Sequence, residues 1–427
     1  MGIDLKLQPL EKKTFIYLLI AVFLNAFVEG VANVQDIIGK KALDALDWQI
    51  TVMAMIWPVS NFFSIWWGKV LEQTNKRSFY FLLLAFVGRL PLIFAVFITG
   101  VYHFMGFLIL MLSFNSLLLP AQNSILQKNL RPVVRGKLFG YTASIRTFVI
   151  VVFSFISGRL LDIDESIFRY LLVITGISGC LGAVVLSLIP VKEEKRKPSD
   201  EKINWKKIFV SPLIRTFKLL KNNRDFALFE RNFMIYGVGF LILIPVIPKY
   251  LVEYLEMTYT TTFLAKGVVA QLGILIFAPI SGKIHDSKHP YLFAGMAFAA
   301  LSLYPFTFFI SSLLEVRVLS VAAVFVAYTF FGIAMSSVFI TWNLGSIYFA
   351  GQEDASMYQS VHVTLTGFRG LIVPPIGLVL MKVFGVSPVF IISFLAFLIA
   401  AYLSYQQYLR NKNKDEPVEE EVNYVKS

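Results

Sequence analysis

One cysteine, Cys180, stands in 427 residues, so no intrachain disulfide can form and no cysteine framework for a metal exists. Histidine is nearly as scarce. His103, His285, His289 and His362 are scattered, and the two that share a connection have no nucleophile or metal set beside them. No Gly-x-x-x-x-Gly-Lys-Ser/Thr loop occurs, which removes the backbone cradle for ATP phosphates. Charge is thin as well: 15% of residues are Asp, Glu, Lys or Arg, while 57% are hydrophobic. A soluble domain of this length does not read so. The expectation is a chain without enzymatic activity, cofactor or metal; a lipid-modifying enzyme would need a catalytic cluster near an interface, and none is visible.

What the chain has instead is apolar runs. About 20 apolar residues span a bilayer, and twelve such runs are read at 14–35, 50–71, 78–100, 104–127, 137–160, 167–190, 226–248, 261–284, 290–311, 318–348, 357–382 and 387–409. This is an all-α membrane protein. The first run follows a polar start, is too long for a secretory signal and shows no small-residue cleavage site, so it is read as a retained helix after a short arm, 1–13. The net charge of +12 does not point to nucleic acid. Its cations crowd into the termini and the connections of one parity, which places both termini in the cytoplasm and those residues beside anionic lipid. A multi-pass protein of the cell (inner or plasma) membrane is expected.

Gly68-Lys69-Val70-Leu71-Glu72 closes the second run, and Gly282-Lys283-Ile284-His285-Asp286 closes the eighth, half a chain later. The echo divides the chain into two related bundles, 1–190 and 226–410, with a basic linker at 191–225 and a charged tail at 411–427. Residues 208–220 in the linker are basic and amphipathic and are expected on the membrane surface. The first copy resembles the loop 2–3 signature of the major facilitator superfamily, Gly-x-x-x-Asp-x-x-Gly-Arg-Arg/Lys, through Gly68, Glu72, Lys76 and Arg77, with Glu72 for Asp and Asn75 for Gly. The second copy keeps Gly282 and Asp286. The resemblance implies two pseudo-symmetric six-helix bundles that rock about a central site, powered by an ion gradient. Two of the family's patterns are absent: Arg-x-x-Gln-Gly in helix 4, and the helix 5 antiporter sequence, of which only Ser157-Gly158 remains.

Polar residues inside the runs are the candidate pathway, because ionisable groups at membrane depth face a cavity or a partner. Asn25, Glu29 and Asn33 repeat every four residues on helix 1, with Asp36 beyond. Gln122 and Asn123 lie on helix 4, Gln271 on helix 8 and Asn343 on helix 10. Arg146 on helix 5 and Arg369 on helix 11 occupy corresponding places in the two halves, and His362 shares a face with Arg369. Arg89 is expected to be paired internally, and Lys266 to snorkel to the interface. The Phe-rich ninth run, without ionisable side chains, is read as lipid-facing, and Gly176, Gly179 and Gly182 as a close-packing face.

From the family's loop arrangement, Lys76 and Arg77 are expected to meet Glu353 and Asp354, and Asp286 to meet Arg135 at the start of helix 5, shutting the cytoplasmic side when the cavity opens outward. The functional expectation is secondary transport of a small organic solute by alternating access in a monomer. Protons are the default coupling ion given Glu29, and the arginines favour an anionic solute. Proton-driven efflux of amphipathic drug-like compounds is the alternative, and a non-transporting sensor a third reading.

Overall fold

The computed structural model describes residues 7–63, 66–67, 77–118, 125, 128–190, 214, 216–350 and 355–415. Among these, twelve long helical elements run in sequence: α1 (Pro9–Ala42), α2 (Asp47–Phe62), α3 (Ser78–Phe97), α4 (Val101–Leu118), α5 (Pro132–Ile163), α6 (Phe168–Ser187), α7 (Arg224–Tyr254), α8 (Tyr259–Ser287), α9 (Pro290–Leu313), α10 (Arg317–Tyr348), α11 (Ala355–Phe384) and α12 (Val386–Asp415). All except α2 are long and apolar enough as described to cross a membrane. The described residues contain no strand. That follows from the solvent: a lone segment in lipid satisfies its own backbone only as a helix.

Local sequence sets the helix ends. Proline opens α1, α5 and α9, where its missing N–H costs nothing. The Asn223 side chain accepts from Phe226 N at 2.9 Å to cap α7. Gly385, at φ 83°, makes the left-handed turn between α11 and α12, a conformation that a side chain would resist. The sequence-expected arm is shorter than read: α1 already starts at Pro9, and Glu11 within its first turn is buried.

The first six helices pack together and so do the last six. Within the first half, α6 lies against α1 and α3 through its glycines. A Cβ on Gly179 would sit 2.8 Å from both Arg89 Cδ and Val28 Cγ2, and one on Gly182 would sit 2.7 Å from Asn25 Nδ2. In the second half α9 has two faces: Met296, Leu303, Phe306, Ile310 and Leu313 form an exposed apolar stripe, in keeping with a lipid-facing helix, while the other side packs inward. Phe298 is buried against Phe233 and Tyr236 of α7, and Phe308 against Tyr328 of α10 and Phe390 of α12, so the α9 phenylalanines fill the seams on that side.

Among the described residues, two pairs of helices make the most extensive packing between the halves. α2 runs along α11, where Gly367 faces Phe62 and Gly370 faces Pro58. α5 meets α8 where Gly158 faces the Thr260 backbone at 3.0 Å and Gly267 faces Ser154. We call the end of the bundle where α1 begins and α12 finishes the terminal face, and the opposite end the distal face. α5 and α8 touch towards the distal face and part towards the terminal one. There, nothing lies within 4 Å of a Cβ placed on Gly140 or Gly282, and Tyr141, Ile276 and Ile280 are exposed.

Gly179→Leu is expected to push α6 off Arg89 and lower stability by about 2 kcal/mol, the usual scale for overpacking a close contact. Thermal unfolding in detergent reads this as a fall in Tm, and an unchanged Tm would refute the tight α3–α6 contact.

Candidate functional site

Among the described residues, Glu29 and Arg146 are the ionic pair nearest mid-helix on neighbouring elements that retains access to solvent. Glu29 lies in the middle of α1 and Arg146 in the first half of α5. Their closest charged atoms are 3.8 Å apart, with side chains 32% and 46% exposed. A pair at that separation and exposure is loose, so either member can exchange its partner. Asn33, one turn further along α1, is partly exposed, as is Gln271 on α8.

The other expected pathway residues lie elsewhere. Asn25 is buried in the α1–α6 contact, where its Nδ2 donates to Ala21 O at 2.9 Å. Asn343 is exposed on α10 and donates to Phe339 O of its own helix. Gln122 and Asn123 lie outside the described residues. Arg369 is 5% exposed, in the seam between α7 and α11. Its guanidinium donates to Phe233 O, lies over the Phe233 and Tyr236 rings, and fits only because Gly237 has no side chain there. Arg89 is buried in the first half, donating to Met111 O and Asn115 Oδ1, which is the internal pairing its position implied. The arginine surplus expected in a shared cavity is therefore divided: two guanidiniums sit in dry helix seams, and Arg146 alone stays half-exposed with Glu29 beside it.

His362 has a partner that the sequence did not disclose. Its Nδ1 is 2.9 Å and 3.1 Å from the two carboxylate oxygens of Glu230, both residues buried. They are 132 positions apart, and only the α7–α11 packing joins them.

A second constellation missed from the sequence closes the distal face. Side chains of the first half meet the second there in hydrogen bonds and ion pairs: Asp36, Lys40, Lys41, Asp47 and Asp162 of the one reach Lys249, Glu253, Met257, Tyr259, Thr260 and Lys266 of the other. Asp47 at the start of α2 binds Lys249 of α7 at 2.6 Å and Lys40 at 3.2 Å, and Lys40 also pairs with Glu253. Lys41 Nζ donates to Met257 O at 2.9 Å and lies 4.3 Å over the Tyr259 ring. Asp162, at the end of α5, accepts from Tyr259 N at 2.7 Å and Thr260 N at 2.9 Å, so a carboxylate of one half caps a helix of the other. Lys266 does not snorkel; it pairs with Asp36 across the halves, because α1 presents a carboxylate closer than the interface. The only advance signal was the row of opposite charges at the distal ends of the runs.

The terminal-side residues give less. Gly68, Glu72, Lys76, Glu353 and Asp354 lie outside the described residues, and the side chains of Arg77 and Arg135 are not described. Asp286 is 84% exposed, and its carboxylate lies 3.3 Å from Nδ1 of neighbouring His285. Glu11 instead meets Arg131 just before α5, at 2.8 Å and 2.9 Å, and these bonds raise the guanidinium pKa. Among the described residues no group of three or more His, Cys, Asp or Glu could hold a metal.

The model of the Major Facilitator Superfamily matches residues 16–368. The chain belongs to this superfamily. It is a multi-pass membrane transporter with the all-α fold of that family, not an enzyme. No curated protein matches it in sequence. Among solved structures it is similar to the nucleoside transporter NupG, with a TM-score of 0.65 and 13% identity over 92% of this chain and 99% of that one. It is similar to a POT family transporter in complex with 5-aminolevulinic acid, with a TM-score of 0.69 and 15% identity over 91% and 94%. A bacterial homologue of the human lysosomal transporter Spinster, solved inward-facing and unoccupied, gives 0.57 and 13% over 94% and 97%. At these identities the likeness speaks for the fold, and the solutes of those proteins stay with them.

The distal contacts are partly solvated pairs, each worth about 1 kcal/mol or less. Removing two together, as Asp47→Asn with Asp162→Asn, is expected to raise the distal-open population on the order of tenfold. The rate at which an impermeant maleimide added at the distal face labels Asn33→Cys, in a Cys180→Ala background, measures this. An unchanged rate would mean that these contacts do not hold the face shut.

Proposed function

We propose that this transporter moves a small carboxylate-bearing organic solute together with a proton, using Glu29 and Arg146 as the exchange site. The observation that carries the proposal is their loose, half-exposed pairing at mid-helix on neighbouring elements. When Glu29 takes a proton, Arg146 loses its partner and presents a planar fork of N–H donors that suits a carboxylate. The arriving carboxylate and the added proton leave the net charge of the site unchanged. Loading both is then favoured over loading either alone, since a single uncompensated charge at membrane depth is costly. That is the coupling: one proton and one carboxylate enter and leave together.

The Lys- and Arg-rich terminal face is the cytoplasmic one in this reading, so the structure stands open towards the cytoplasm and latched outside. In the opposite state the halves rock about the α2–α11 and α5–α8 contacts. The terminal face then shuts through Lys76 and Arg77 against Glu353 and Asp354, and through Asp286 against Arg135. The high exposure of Asp286 in the present state suits a contact that forms only on closure. The protein works as a monomer in the lipid bilayer of the cell membrane.

The test is accumulation by proteoliposomes under an imposed proton gradient, across a labelled panel of carboxylates, dipeptides, nucleosides and amphipathic cations. A carboxylate-bearing member is expected to accumulate. Glu29→Gln should remove the dependence on the gradient, and Arg146→Gln should cut uptake at least tenfold. Gradient-indifferent uptake would overturn the proton part. Movement of cations alone would overturn the solute class in favour of drug efflux.

A further inference from the structure

The α7–α11 seam holds one carboxylate, one imidazole and one guanidinium, and the function proposed above uses none of them. Glu230 and His362 are 2% and 1% exposed. Both Glu230 oxygens address the same ring nitrogen, Nδ1, at 2.9 Å and 3.1 Å. The other ring nitrogen, Nε2, is buried and has no hydrogen-bond partner. The Phe233 and Trp342 rings meet the imidazole edge-on, at 4.6 Å and 5.6 Å between centroids. Further along α11, Thr366 donates to His362 O at 3.0 Å, and Arg369 Nη2 reaches the Thr366 hydroxyl at 3.4 Å. Arg369 and Glu230 lie within electrostatic reach of each other.

We propose that Glu230 and His362 form a second proton-binding site, in the C-terminal half, whose loading favours opening of the distal face. The site rests on the proton-coupled reading, to which it adds a second proton with a different task. A bracing histidine needs one nitrogen bonded to its carboxylate and the other bonded to something else. Here the second nitrogen is buried with no hydrogen-bond partner, which is unfavourable for a polar atom. Imidazole is also the side chain that titrates near neutrality. Nδ1–H donates to Glu230, and the incoming proton bonds to the Nε2 lone pair. No bond in the protein breaks. The trio of Glu230, His362 and Arg369 passes from net zero to net +1.

This is the reverse of the Glu29–Arg146 arrangement, where an exposed arginine can receive a solute anion. In the seam no anion has access, so the extra charge stays uncompensated while the seam is dry. Wetting relieves it, and that requires α11 to shift against α7. α11 is also the helix whose Gly367 and Gly370 lie on α2 of the other half, so the shift reaches the contact about which the halves turn. The ionisable groups that face the pair are Arg369 on α11, within electrostatic reach of Glu230, and Tyr236 on α7, whose ring lies against that guanidinium. α10 contributes Trp342 and no charged group at this depth, and α2 carries none along its contact with α11.

The test uses the full chain in liposomes, in a Cys180→Ala background, with spin labels at Ile163→Cys and Val318→Cys. Both positions are exposed at the distal end, one on each half. Distances are compared at about pH 8 and about pH 5.5, either side of an ordinary histidine pKa. The expected result is at least a threefold rise in the long-distance population at low pH. Glu230→Gln and His362→Gln should each abolish the rise, and Glu29→Gln should retain it. Ring-nitrogen NMR gives a second reading. With only four histidines, the His362 signal is assigned by its loss in His362→Gln, and it should titrate across this range.

A pH response that survives in both seam variants, or a His362 signal that does not move, overturns the proposal. A response lost in Glu29→Gln and kept in Glu230→Gln also overturns it while proton coupling stands. Gradient-indifferent uptake by a protein whose His362 still titrates would fail the coupling reading and leave the site. Should Glu230→Gln not fold, His362→Gln and the NMR titration carry the test.

Discussion

An ionised side chain at membrane depth has to meet its opposite charge or a set of dipoles, and this requirement orders the molecule. Arg89 and Arg369 meet carbonyls and side chains inside helix seams, with almost no exposure. Glu29 and Arg146 meet each other loosely and half-wet. Asp36, Asp47 and Asp162 meet partners on the opposite half at the distal rim. The same chemistry performs three tasks, and exposure decides which. A dry pair fixes a seam, a half-wet pair can trade partners, and a rim pair breaks at small cost.

The backbone is shaped to make these meetings. Among the described residues three helices carry a π-type turn, Leu84–Arg89, Tyr250–Tyr254 and Leu264–Val269, and each holds a charged residue with a partner described above: Arg89, Glu253 and Lys266. One extra residue per turn rotates a side chain off the regular helical stripe and towards its partner, a known use of such bulges at functional positions. Small residues do the complementary work. Gly179 leaves room for the Arg89 stem and Gly237 for the Arg369 guanidinium. Side chains at those glycines would drive both arginines out of their seams.

The fold was legible because its signals are local. Twelve apolar runs and the glycine face of α6 follow from composition and spacing; among the described residues eleven helices are long and apolar enough to cross a membrane, and the α6 glycines meet Arg89, Val28 and Asn25 closely. The site was legible only in part. Glu29 and Arg146 stood out because charge at membrane depth is rare. That they face each other is a matter of α1–α5 packing, which spacing does not encode. Glu230 and His362 are 132 positions apart, and only the packing of α11 on α7 makes them a pair. Lys266 looked like a snorkelling lysine because Asp36 is 230 positions away. The same limit explains the hidden distal contacts: each member is ordinary at a helix end, and the tertiary pairing is what makes them a closure.

The central claim is that the two halves separate at the distal face during each cycle. The most direct measurement fastens them there. Asp162→Cys with Thr260→Cys, in a Cys180→Ala background, places a cysteine pair where α5 of one half caps α8 of the other. Oxidation to a disulfide is expected to stop proteoliposome transport, and reduction to restore it. Undiminished transport with the disulfide intact would contradict the account.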